Sequence, residues 1–127
     1  MSDIKNDEKL MDAFYEEVQN LIGEMRKDLA TLVPPCEAEG SVVMNRLFRN
    51  SHIIKSDSGS VGFDDLNELS KNLERIFKKA KEGDLCLTVE TISLLSEAVE
   101  ACQKLLNEEK VKNYKELLKR LNSIIQP

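Results

Sequence analysis

The 127-residue chain has no tryptophan and little Val/Ile/Tyr alternation, which argues against a sheet. Only three prolines and five glycines interrupt it. No apolar run approaches the ~18–20 residues that a membrane span needs. The opening MSDIKNDEK lacks the apolar core of a secretory signal. Positive charge is short as well: the net charge is -5, and no basic face offsets it. Binding to nucleic acid or to an anionic membrane is therefore disfavoured as the main task. The three cysteines, Cys36, Cys86 and Cys102, are odd in number and widely spaced. They fit neither a zinc motif nor a disulfide framework. They read as small buried or half-buried side chains in a reducing compartment. The expectation is a cytoplasmic protein without a metal site.

What the chain does have is Leu, Lys, Glu and Asn in quantity, with 32% charged residues. That is the composition of an all-α protein, and the length suits one domain over 1–127. Apolar residues recur at three and four positions from Leu10 through Phe14, Val18, Leu21, Ile22, Met25 and Leu29 to Leu32, which predicts a helix over about 7–33. Pro34 and Pro35 end it. A loop over 34–40 follows, and Ser41 caps a second helix that carries Met44, Leu47, Phe48, Ser51 and Ile54 inward. That helix is expected to stop near 58–60, before a tight turn over Gly59–Gly62 with Phe63 tucked behind it. Asp64 is the expected cap of a third helix, with Leu66, Leu69, Leu73, Ile76, Phe77 and Ala80 on its inner face and Gly83 as its stop. Thr88 caps a fourth helix ending near Asn107. A fifth covers about 111–126. Short connections and one apolar stripe per helix predict an antiparallel four-helix up-down bundle over about 7–107, with an additional C-terminal helix.

The only histidine, His52, lies on the second helix. At 100° per residue, Met44, Leu47, Ser51 and Ile54 centre roughly 120° to one side of it. His52 is therefore on the flank of that helix, beside Asn45, Arg49 and Ser56. Lys55 lies between it and the core edge, within side-chain reach at i+3. On the third helix the same projection puts Glu74 on the matching flank, with Lys71 and Lys78 beside it. His52 is ten residues before Gly62 and Glu74 twelve after it, so the hairpin sets them level.

A carboxylate on one imidazole nitrogen fixes the tautomer and raises the basicity of the ring. The other nitrogen is then a nucleophile at neutral pH. An ammonium nearby offsets the charge of an incoming phosphoryl group. Gly59 and Gly62 lack the spacing of either phosphate-binding loop, so the domain is not expected to take a phosphoryl group from ATP by itself. It is not a kinase on its own and binds no cofactor.

The stretch LFRNSHIIKSDSGSVGF resembles the signature of histidine-containing phosphotransfer (HPt) domains, above all the N-terminal domain of chemotaxis-type (CheA-like) histidine kinases, LFRxxHxxKGxxGxxGF. Leu47, Phe48, Arg49, His52, Lys55, Gly59, Gly62 and Phe63 match. KKAKEGDLCLTVETISLL at 78–95 is similar to the segment that follows in that family. The resemblance runs over about 7–107. It implies that a histidine kinase catalytic domain, bringing its own ATP and Mg, phosphorylates His52 on Nε2. Glu74 then orients the imidazole, and Lys55 and Lys71 steady the phosphate. A response-regulator receiver domain takes the group onto an aspartate, docking over Arg49, Ile53, Ser56 and Gly59. The chain departs from the family at Ser56, where a glycine normally lets the partner approach closely, at Asp57, and at Ile53, where a small polar residue is usual. Lys71 stands where chemotaxis kinases often have histidine.

Three functional classes are open at this point: a phosphocarrier in a two-component phosphorelay, a degenerate module that docks receivers or kinases without carrying phosphate, and a plain helical scaffold. The closing IIQP reads equally as a natural stop and as the approach to a linker.

Overall fold

In the computed structural model, which describes residues 7–34 and 41–126, every regular element is a helix. They are α1 (Glu8–Ala30), α2 (Val42–Val61), α3 (Asp64–Lys81), α4 (Val89–Leu106) and α5 (Tyr114–Ile125). The first four form the antiparallel bundle. α1 packs on α2 and α4, α3 packs on α2 and α4, and α5 lies across α3 and α4. The α2–α3 hairpin has the most extensive interface. Residues 35–40, with Cys36 and most of the expected loop, and Pro127 lie outside the described residues.

Local chemistry sets the ends. Asp7 caps α1 by accepting from the Leu10 amide at 3.1 Å. That helix stops at Ala30, three residues short of the expected end. Thr31 Oγ1 donates to the Asp28 carbonyl at 2.7 Å, and the Thr31 and Leu32 amides bond back only three residues. Ser41 and Thr88 cap α2 and α4 as expected. Gly83 at φ 82° closes α3, with the Asp84 amide reaching the Lys79 carbonyl at 2.8 Å.

Other helix ends need correction. α2 runs through Gly59 to Val61, and only Gly62, at φ 80°, takes the left-handed conformation that ends it. The turn is thus shorter than 59–62. Phe63, not Asp64, is the N-cap of α3; it makes no side-chain cap bond, and Asp64 with Asp65 sits in the first turn, where negative charge suits the helix dipole. α5 begins at Tyr114 because Asn113 has a left-handed φ of 58°.

The core is continuous through the bundle, from Phe14, Val18, Ile22 and Met25 on α1 to Leu117 and Leu121 on α5. Leu10, expected inside, is exposed. Phe63 is half-buried, its ring edge-on to Phe14 at 5.0 Å between centroids. α5 is tied to α3 at both ends. The Tyr114 hydroxyl lies 2.8 Å from the Asp65 carbonyl, and Lys79 Nζ donates to the Ile125 carbonyl at 2.5 Å.

An ion pair between the half-exposed Arg46 and the buried Asp28 joins α1 to α2. Arg46 donates from Nε and Nη2 to the Asp28 carboxylate at 2.8 and 2.5 Å. Arg46, Asn50, Ile53 and Asp57 form one stripe of α2 at i, i+4, i+7 and i+11, and Asp57 reaches Glu17 of α1. This stripe is the α1 side of α2. His52 lies on the other flank.

Candidate functional site

Leu47, Ser51 and Ile54 are buried against the bundle, and their burial fixes the rotation of α2. His52 is left on the α3-facing flank with 57% of its side chain exposed, whereas the facing Glu74 keeps only 14%. The carboxylate is held in the interface and the ring stands outside it. His52 Nδ1 hydrogen-bonds Glu74 Oε2. Lys55 Nζ donates to Glu74 Oε1 at 2.8 Å. One carboxylate thus holds the imidazole with one oxygen and the ammonium with the other.

The electrostatics follow from this geometry. Burial alone would push the Glu74 carboxyl up. The hydrogen bonds from Lys55 and then His52, with the charges behind them, outweigh it and hold the group below its ordinary value. An ionised carboxylate only accepts, so Nδ1 carries the hydrogen when the ring is neutral. The lone pair is then on Nε2, which no hydrogen bond among the described residues engages.

An open groove of about 550 Å³ lies against this ring, lined by His52, Lys55, Ser56, Gly59, Ser60, Asn67 and Lys71. Of the residues singled out in the sequence, the structure brings His52, Lys55, Lys71, Ser56, Gly59 and Glu74 together. Lys71 is exposed and makes no ion pair among the described residues, so its charge is uncommitted. Lys78 is exposed outside the groove. Arg49 is exposed and likewise outside it. Ile53 is half-buried on the stripe turned to α1 and does not share the groove. Asp57 belongs to that same stripe, so its charge faces Glu17 and not His52.

Sequence reasoning missed Asn67 and Ser60. Asn67 Nδ2 donates to the Lys55 carbonyl at 2.7 Å, and Ser60 Oγ to the Ser56 carbonyl at 3.1 Å. A signal for Asn67 was present: it precedes Glu74 by seven residues, two helical turns, with Lys71 between them on the same face. Cys102 offers no alternative nucleophile, because full burial pushes its thiol up to about 12.

Known proteins resemble this chain in sequence and fold. It is 31% identical over 94 residues to the chemotaxis protein CheA of Salmonella typhimurium, covering 74% of this chain and 14% of that protein. It is 24% identical over 99 residues to the sensor histidine kinase CheAY of Helicobacter pylori, covering 78% of this chain and 12% of that one. It therefore spans only about a seventh of the length of these relatives. Its fold matches the phosphorylated P1 domain of CheA3, solved in complex with CheY6 from R. sphaeroides, with a TM-score of 0.76 at 15% identity over 92% of this chain and 95% of that one. The model of the Hpt domain family matches residues 9–124, nearly the whole of the described bundle, and the chain accordingly belongs to the Hpt domain family.

Proposed function

We propose that this domain is a phosphocarrier of a two-component phosphorelay and that His52 is its acceptor. The observation that carries the reading is the shared carboxylate: Glu74 takes His52 on one oxygen and Lys55 on the other. The Nε2 lone pair attacks the γ-phosphorus of ATP held, with its Mg, by a histidine kinase catalytic domain. The Nε2–P bond forms and the bond to the ADP oxygen breaks. The hydrogen stays on Nδ1, and the ring becomes an imidazolium whose charge Glu74 balances. Lys55 and Lys71 face the new phosphoryl oxygens across the groove.

The second step reverses the bond change. An aspartate oxygen of a response-regulator receiver domain attacks phosphorus, the Nε2–P bond breaks, and its electron pair returns to the ring. The P1 domain with the matching fold was itself solved phosphorylated and bound to CheY6, which supports a receiver as the partner. Docking over the groove, with Ser56 and Gly59 at its rim and Arg49 beside it, fits that approach. No helix among the described residues is long and apolar enough to cross a membrane. Work in the cytoplasm alongside such partners is part of the proposal.

Incubation with a histidine kinase catalytic domain and ATP should give acid-labile, base-stable phosphate on the protein and none on His52→Gln. An unmodified wild-type protein that still binds a receiver would replace the carrier by a docking module that holds no phosphate.

A further inference from the structure

Gly59 lies inside α2, two turns after His52, without a left-handed φ. Its missing side chain matters for space. A Cβ built at Gly59 would stand 3.0 Å from Asn67 Nδ2 on α3. Asn67 occupies that notch and donates to the Lys55 carbonyl at 2.7 Å. Lys55 is thereby held by α3 at both ends, its carbonyl by Asn67 and its ammonium by Glu74 at 2.8 Å. The antiparallel register has two rungs. His52 meets Glu74, and Gly59, seven residues after His52, meets Asn67, seven residues before Glu74, ~10.5 Å away along the axis.

We infer that Asn67, seated in the Gly59 notch, is a positioning residue for the phosphoacceptor: it locks α2 on α3 so that Glu74 meets Nδ1 of His52 and leaves Nε2 facing the groove. The path is short and contiguous, from Asn67 through Lys55 and Glu74 to the ring. The inference rests on His52 as the acceptor, but the geometry it describes is measurable without any phosphotransfer. Asn67 touches neither the reacting nitrogen nor the phosphoryl group.

Because His52 is the only histidine, a single pair of ring signals reports its tautomer in the uniformly ¹⁵N-labelled full chain. At a pH where the ring is neutral, the wild type should show a protonated Nδ1 and an unprotonated Nε2. Asn67→Ala should mix the two tautomers and slow phosphorylation about tenfold, as a small misplacement of reacting groups does. Asn67→Asp, equal in size but without the amide donor, should behave like Asn67→Ala. Gly59→Ala should give the same tautomer mixing by pushing Asn67 off the carbonyl. It should add nothing further in the Asn67→Ala background, where the notch is empty.

An unchanged tautomer and rate in both Asn67→Ala and Gly59→Ala would overturn the inference, and so would tautomer changes that simply add in the double variant. If one variant fails to fold, the other carries the test. Tautomer mixing in a wild-type-like fold, together with no phosphorylation of the wild type itself, would sustain the positioning role and reject the carrier reading instead.

Discussion

His52 Nδ1 and Glu74 Oε2 are hydrogen-bonded across 22 positions of sequence, from the matching flanks of two antiparallel helices. The bond exists because the two helices expose those flanks on the same side of the bundle. It also divides the ring into a buried-side nitrogen that is occupied and a groove-side nitrogen that is not.

Glu74→Ala should lower the phosphorylation rate roughly tenfold or more, the usual effect of losing a carboxylate that orients an imidazole. Stability should fall by under about 1 kcal/mol, since Lys55 and His52 both reach water once the partner is gone. Glu74→Gln keeps an oxygen for Nδ1–H but not the charge that balances the imidazolium, so its rate should lie between the two. Equal rates in all three proteins would remove the orienting role. Loss of the Glu74 interactions on acidification has a definite sign. The group is held below its ordinary value of about 4.3, so its contribution is complete above that pH and is lost as pH falls through its value in the folded state.

Asp57 faces Glu17 across the α1–α2 interface, and partial burial, then the hydrogen bond and the charge of Glu17, push its carboxyl up to about 6. The folded protein therefore holds a proton there that the unfolded chain releases near pH 4. Its stabilising effect is present below about pH 4 and is lost as pH rises to about 6. Asp57→Asn should keep the hydrogen bond without the like charge. It should raise the melting temperature at pH 7 by roughly 3 °C, corresponding to ~1 kcal/mol after solvent screening of a half-exposed pair, and leave it unchanged at pH 4. Melting curves of both proteins at the two pH values decide this; an equal shift at both would exclude a titrating pair.

The His52–Glu74 pairing was legible in the sequence because it depends on helical periodicity and on the count of residues either side of Gly62. Those two quantities placed Glu74 level with His52 and on the correct flank. What escaped depends on contact between helices at atomic scale. Gly59 read as a turn residue, yet it sits in a helix and makes room for Asn67. Composition cannot distinguish a glycine that bends the chain from one that admits a neighbour. Asp28 and Arg46 were likewise silent. A charge on a helix reads as a surface residue until the opposite helix supplies its partner. Ile53 was expected on the docking face, and Asp57 stood out only as a departure from the family pattern. Their i+7 and i+11 relation to Arg46 puts them on the stripe that turns to α1.

The Asp28–Arg46 pair predicts an asymmetry. Arg46→Ala leaves a buried carboxylate without its two hydrogen bonds and should lower the urea midpoint clearly. Asp28→Ala combined with Arg46→Ala removes the orphaned charge as well and should recover much of the loss. Urea titration of the single and double variants measures it. A double variant as unstable as the sum of its parts would show that the pair is not coupled.

Ser56 tests how closely a partner must approach. It is exposed on the groove, one turn beyond His52, where the family pattern has glycine. On the phosphocarrier reading, a serine side chain there adds a hydroxyl on the surface that an incoming receiver would close over. The backbone role of this position is unaffected, since Ser60 Oγ bonds its carbonyl and not its side chain. Ser56→Gly should therefore cost about 0.5 kcal/mol of stability, the helix-propensity difference alone. Phosphorylation of His52 should change less than transfer does. Transfer from phosphorylated His52 to the receiver should become faster, because receiver and helix surfaces must close around the group together. Single-turnover transfer from the two pre-phosphorylated proteins separates the steps, and an unchanged transfer rate would mean that the receiver docks without touching this turn of α2.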